Sequence, residues 1–293
     1  MNYIKVRSLD TNKIGILVGC GEPLSRNDLI VIDSEEKGED VVRVLGYSKE
    51  DSPSAVRYKF LRKLTSRDRK KMERNEKESR KAYETCREKI KEQGLEMHLL
   101  KAYVPLNSKK IFFYYTAEER VDFRKLVREL AKIFRKRIEM RQVGVRDAVQ
   151  ILGWVGLCGN IPCCIKFMES FDSISLKDIE EQNLPLSPSK FTGPCGRLVC
   201  CMSFEKENYL IKLLFPQKGT ELCFGGKTVK LLEVDPLRNT AVIEVEERRK
   251  EVPIGEMLPE GYERVLDFYR NCGGCPRRFA VEDTAEHETA AHG

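Results

Sequence analysis

The chain spells Cys-Gly-x-x-x-Cys-Cys twice, as CGNIPCC from Cys158 and as CGRLVCC from Cys195. Six of its 11 cysteines fall in these two aligned copies. Thiols in such register read as a ligand pattern, because the thiolate is the soft metal ligand and the nucleophile among side chains. Tetrahedral zinc sits about 2.3 Å from each sulfur and favours tight Cys-x-x-Cys knuckles. Neither copy contains one. An iron–sulfur cluster is larger, and Cys-x4-Cys spacing occurs among cluster ligands. Cys158, Cys163, Cys195 and Cys200 therefore fit an iron–sulfur cluster better than zinc, which stands as the alternative. Neighbouring side chains on extended backbone point to opposite faces. Cys163 and Cys164, and likewise Cys200 and Cys201, are thus expected to divide their roles. One of each pair faces the cofactor, and the other faces the core, another cluster or a partner. Which member ligates stays open.

Cys272 and Cys275 form a Cys-x-x-Cys of their own. A thioredoxin-type pair opens a helix in a βαβ setting. Here Pro276 and a polar tail follow, so a thiol-redox pair is a weak reading, and extra ligands for the same cofactor are the stronger of the two. Cys20, Cys86 and Cys223 are isolated and read as small apolar fillers. Histidine is scarce: His98, His287 and His292 are all there are. His98 reads as half-buried in a strand, and the other two lie in a tail expected to be disordered. A hydrolytic nucleophile needs a positioned base. The expectation is a protein that is not an enzyme, and a mixed Cys/His zinc site is disfavoured.

The elements that must hold these thiols follow from composition and pattern. The chain has 293 residues, 41% hydrophobic and 33% charged, with net charge +6. That length supports roughly two domains with real cores. The N-terminus MNYIKVRSLD has no apolar signal core and no apolar run reaches membrane-spanning length, so a cytoplasmic protein is expected. In that compartment cysteine clusters are metal or redox groups more often than disulfides.

The fold class expected is α+β. Residues 1–60 read as a small β-sheet or barrel, with strands over Ile4–Arg7, Ile14–Val18, Leu29–Asp33 and Val41–Leu45. Residues 61–150 read as an α+β layer. It opens with a charged helix over 65–92 whose sparse apolar stripe is Met72, Ala82, Tyr83, Cys86 and Ile90. Strands Glu96–Val104 and Lys110–Tyr115 follow, then a helix opened by a capping box, Thr116 to Glu119, and a strand Arg137–Val143. Helices on one face of an antiparallel sheet are expected. Residues 151–210 are a Gly- and Pro-rich cofactor region, and 211–270 a second β-rich, barrel-like segment. Residues 271–293 hold the Cys-x-x-Cys and the tail. On the second helix, Phe123, Leu126, Val127, Leu130, Ala131 and Phe134 form the core face. Arg124, Arg128 and Lys132 line the opposite side, a candidate polyanion contact.

The stretch FYYTAEERVDFRKLVRELAKIFRKRIEMRQVGVRDAVQILGWVGLCGNIPCC, followed by QNLPLSPSKFTGPCGRLVCCMSFE, closely resembles the bacterial YaaT/RicT family, which carries a PSP-type C-terminal domain. The resemblance covers roughly 1–260 and is strongest over 111–204. It implies a regulatory, non-catalytic subunit that assembles with two small helical proteins, RicA and RicF. It further implies [4Fe–4S] clusters and an influence on RNase Y, the endoribonuclease that processes messenger RNA, bearing on sporulation, competence and biofilm decisions. The family's cysteine motif maps onto Cys158, Cys163, Cys164, Cys195, Cys200 and Cys201. Cys272, Cys275 and the tail fall outside that pattern. A different class of reading is an RNA-binding accessory protein with a structural zinc site, using the basic helix face. Aromatic residues for base stacking are thin, with Trp154 the single tryptophan.

Overall fold

The computed structural model describes residues 3–48, 55–107, 109–185 and 187–258, together with Tyr262 and Arg264. Cys272, Cys275, His287 and His292 lie outside the described residues. The chain divides into two compact units: Met1–Phe171 with Thr192–Arg197, and Asp172–Phe191 with Leu198–Gly293.

The first unit opens with five strands, β1 (Tyr3–Ser8), β2 (Ile14–Val18), β3 (Leu29–Ser34), β4 (Gly38–Ser48) and β5 (Val56–Lys63). They close into a barrel in the order β1-β2-β5-β3-β4. Alternation does the sorting: Ile4 and Val6 turn inward while Lys5 and Arg7 turn away. The barrel interior is Ile4, Val6, Leu17, Leu24, Ile30, Ile32, Val42, Val44 and Tyr58. Gly15 is required on β2, since a Cβ there would stand 2.5 Å from the Tyr58 ring.

Helix α1 (Ser66–Glu92) starts at a capping box, with Thr65 accepting from the Asp68 N–H and Asp68 accepting from the Thr65 N–H. Its buried apolar residues are Ala82, Cys86 and Ile90, the sparse stripe read from the sequence. Burial pushes the Cys86 thiol up to about 12, as suits an inert core residue. Strands β6 (His98–Tyr103) and β7 (Lys110–Thr116), helix α2 (Arg124–Phe134), strand β8 (Arg137–Gln142) and helix α3 (Val145–Leu152) complete the layer. The sheet order is β6-β7-β8. Helices α1 and α2 share one face through Ala82, Cys86, Ile90, Leu126 and Leu130 on Ile111, Phe113 and Tyr115.

Four expectations need correction. The Thr116–Glu119 capping box does not form, because Thr116 ends β7, paired with His98, and α2 begins only at Arg124. Strand pairing along the buried run Ile111–Tyr115 outweighs the cap. The sheet is mixed rather than antiparallel, since α2 crosses over and returns β8 parallel to β7. Helices occupy both faces: Ile151 of α3 packs with Phe112 and Tyr114 on the side away from α1. His98 is exposed rather than half-buried.

The second unit carries short helices α5 (Leu176–Glu181), α6 (Pro188–Phe191) and α7 (Cys201–Glu205), a 3₁₀ stretch Lys206–Leu214, and four strands. These are β9 (Glu221–Phe224), β10 (Lys227–Asp235), β11 (Thr240–Val245) and β12 (Arg248–Pro253), closed by α8 (Ile254–Met257). They form an antiparallel meander over a core of Val229, Leu231, Val234, Ala241, Ile243, Val252 and Ile254. The remaining helix, α4 (Cys163–Lys166), belongs to the first unit. Among the described residues, no helix is long and apolar enough to cross a membrane.

Candidate functional site

The two cysteine copies form the same turn, residue for residue. In the first, the Gly156 N–H donates to the Asn160 carbonyl at 2.8 Å, and the Gly159 N–H to the Gly156 carbonyl at 2.9 Å. In the second, Gly193 donates to Arg197 at 2.8 Å and Gly196 to Gly193 at 2.9 Å. Gly159 and Gly196 have φ of 77° and 73°, the left-handed region where glycine carries no Cβ penalty. The turn needs a glycine there, which is why each copy reads Cys-Gly. The chain then enters a short helix, from Cys163 in the first copy and one position later in the motif, from Cys201, in the second. Ile165 and Phe167 donate to Pro162 and Cys163; Met202 and Phe204 donate to Val199 and Cys200. The structural repeat thus runs Gly156–Phe167 and Gly193–Phe204, longer than the cysteine motif alone. Glycine ahead of each copy and phenylalanine behind it were visible in the sequence as Gly-x-Cys-Gly and as Cys-Cys-x-x-Phe.

In the first copy the adjacent cysteines differ in burial, whereas in the second copy Cys200 and Cys201 are both half-buried. Cys163 and Cys164 open α4, where successive side chains diverge by about 100°. Cys164 is buried with Val149 and Ile165, while Cys163 is half-buried and Cys158 exposed. Cys195, from the second copy, packs against the Cys164 cluster. The first unit therefore holds Cys158, Cys163, Cys164 and Cys195. Cys200 and Cys201 belong to the second unit, where Cys201 packs on Ile179, Phe191 and Met202.

Each short helix is held by a buried glutamine. Gln150 of α3 donates to the Cys164 carbonyl at 2.7 Å, and Gln182, at the end of α5, donates to the Met202 carbonyl at 2.7 Å. The barrel braces the first copy as well. Arg7 of β1 donates to the carbonyls of Ile165 at 2.7 Å and Lys166 at 3.1 Å, and Lys5 pairs with Glu169 at 2.6 Å. Burial, then the nearby Arg43 charge, lowers the Arg7 pKa, yet an arginine stays cationic at any physiological pH. Sequence reasoning missed Gln150, Gln182 and Arg7, because their partners are carbonyls that carry no sequence signal.

A buried polar cluster joins the barrel to the α+β layer. Asp10 accepts from Lys37 and from the Tyr114 hydroxyl, and Tyr103 donates to Asp40 at 2.6 Å. Lys101 donates to the Leu9 and Asp10 carbonyls at 3.0 and 2.8 Å. Burial pushes Asp10 up, but the Lys37 charge and hydrogen bonds from Lys37, Tyr114 and Ser8 hold it below its ordinary range. For Asp40 burial wins and raises the carboxyl to about 6. Arg124, Arg128 and Lys132 are exposed on α2, as the sequence pattern placed them.

A family profile for the PSP1 C-terminal conserved region matches residues 58–143, and one for the third domain of PSP1-like proteins matches 173–213. The chain is 35% identical over 266 residues to the stage 0 sporulation protein YaaT of Bacillus subtilis, covering 89% of this chain and 96% of that protein. The chain belongs to the YaaT family of PSP1 proteins. A shorter match, 42% identical over 55 residues, reaches an uncharacterized protein of Schizosaccharomyces pombe, 19% of this chain and 7% of that one. No solved structure matches the chain. Within this YaaT-family member, the PSP1 conserved region spans β5, α1, the β6-β7-β8 sheet and α2, the body on which α3 and the first cysteine copy rest.

Among the described residues, no three Cys, His, Asp or Glu side chains are gathered so as to hold a metal ion. That finding concerns a single ion, whereas a cluster spreads its ligands over several irons. The six thiols are donors that suit an iron–sulfur group or zinc: Cys158 and Cys195 lie in the glycine turns, and the other four lie at or in the short helices that follow.

Proposed function

We propose that this YaaT-family chain is a regulatory, non-catalytic subunit working in the cytoplasm. It acts through partner proteins resembling RicA and RicF on RNA processing by an RNase Y-type endoribonuclease, and so on cell-fate gene expression. The observation that carries the reading is the duplicated Gly-x-Cys-Gly turn, which sets a thiol at the same place in each copy. Cys158, Cys163, Cys195 and Cys200 would hold an iron–sulfur cluster, with Cys272 and Cys275 as further candidate donors. Such a group, when bound, would supply redox-active iron held by thiolates. The chain's own part is to fix the short helices through Gln150, Gln182 and Arg7 and to bury Cys164.

The test is to map transcript 5′ ends in cells with and without the chain. Loss of a subset of endonucleolytic ends is expected, with the same subset lost in a Cys158→Ser strain. Unchanged ends in the deletion strain would contradict the reading. A second reading, direct RNA contact by a protein with a structural zinc site, draws on exposed Arg124, Arg128 and Lys132.

A further inference from the structure

The two cysteine copies differ in what lies over them. Aligned on their cysteines, Trp154 corresponds to Phe191 and Ile161 to Leu198. In the second unit both positions are covered. Phe191 is 8% exposed and shares a core with Ile179 of α5, and Leu198 packs on that core with Ile174 and Leu184. In the first copy the same positions face solvent, with Trp154 56% and Ile161 58% exposed. Leu152, Val155 and Leu157 are exposed beside them. Helix α3 does not supply the missing cover. Its Val149 and Gln150 hold Cys164 and Ile165, the inner side of the copy. Five large exposed apolar side chains thus fall within the ten residues Leu152–Ile161, a density that single scattered exposures do not reach. A tryptophan among them is the residue type that most often anchors an interface.

We propose that a short amphipathic helix of a partner protein docks on Leu152–Ile161, covering the first copy as α5 covers the second. The second copy specifies the chemistry of the occupant. In α5, Ile179 is fully buried while Lys177 and Glu180, with Leu176 at the helix start, are exposed. The docking helix therefore presents one aliphatic stripe to Trp154 and Ile161 and a charged back to water. The proposal rests on the reading that the chain works through partners, but it assigns the surface and needs neither bound iron nor an effect on RNA.

The test places a photocrosslinking phenylalanine analogue at Ile161 in the full chain, in its host cells. Crosslinked residues are mapped by mass spectrometry. The expected product joins Ile161 to the apolar side of a helix in a different polypeptide. Trp154, the single tryptophan, should emit at shorter wavelength in the purified complex than in the chain alone. Ile161→Asp should weaken that association about ten-fold or more and leave the thermal midpoint of the chain unchanged. If Ile161→Asp does not fold, Leu157→Asp serves in its place. Crosslinks only within the chain or to a second copy, no crosslink, or full binding by a folded variant would overturn the proposal. Transcript ends that do not change would sink the RNA-processing reading and leave a mapped helix crosslink standing.

Discussion

Gly159 and Gly196 adopt one backbone conformation, with φ of 77° and 73°, and each donates its N–H to a glycine carbonyl three residues back. Local geometry, and not only spelling, is duplicated around the thiols. An L side chain in the left-handed region costs about 1–2 kcal/mol. Gly159→Ala and Gly196→Ala should each destabilise the chain by about that much, although open space surrounds both positions. Gly21→Ala, also in open space but without positive φ, should be close to neutral. Denaturant midpoints of the three variants check this, and equal midpoints would contradict it.

Arg7 ties the barrel to the first copy through the Ile165 and Lys166 carbonyls. Arg7→Met keeps much of the stem volume and removes both donors. Two carbonyls then lose charged donors, each such bond being worth about 1.5–3 kcal/mol. Hydrogen exchange should speed up over Cys163–Lys166 before it does so in β3 or β4. Uniform acceleration would show that Arg7 serves the barrel rather than the copy.

Asp40 titrates near 6 because burial outweighs Lys37 and the Tyr103 hydroxyl. Its folded-state pKa lies above the unfolded one, so its favourable contribution is complete below about 4 and is lost as pH rises through about 6. Asp40→Asn removes that loss. Relative to wild type the variant should gain roughly 1–3 kcal/mol between pH 4 and pH 7. Asp10, held low by Lys37, has the opposite sign and contributes above its lowered pKa. Unfolding free energies at the two pH values decide. A variant whose difference from wild type does not change with pH would refute the assignment.

Arg124, Arg128 and Lys132 project from α2 on the side away from Leu126 and Leu130. Reversing all three to Glu should leave the core intact, since exposed substitutions usually shift stability by within about 0.5 kcal/mol each. If the face meets a polyanion, affinity for single-stranded RNA should fall, and its salt dependence should flatten. Unchanged affinity at low and moderate salt would mark the face as merely solvated.

Period-2 and helical patterning made the barrel strands, the α1 stripe and the α2 core face legible, because each buries one side of a regular element. The Cys-Gly repeats were legible because a left-handed turn selects glycine. What stayed hidden depends on distant pairing. Thr116 looked like a cap until β7 claimed it against His98. The parallel return of β8 follows from the α2 crossover, and Gln150, Gln182 and Arg7 act on carbonyls that any residue would supply. The repeat also concealed an asymmetry, since Trp154 and Phe191 look equivalent until the cover over each is seen.

The central claim is that thiols from both copies hold one kind of cofactor. The most direct measurement is iron, labile sulfide and zinc in protein purified without oxygen, for wild type, Cys158→Ser, Cys195→Ser and, as control, Cys223→Ser, whose site in β9 is exposed. The account predicts iron and sulfide in wild type and the control, and loss of most iron in each of the other two variants. Stoichiometric zinc without iron, or full iron in either Cys158→Ser or Cys195→Ser, would contradict it.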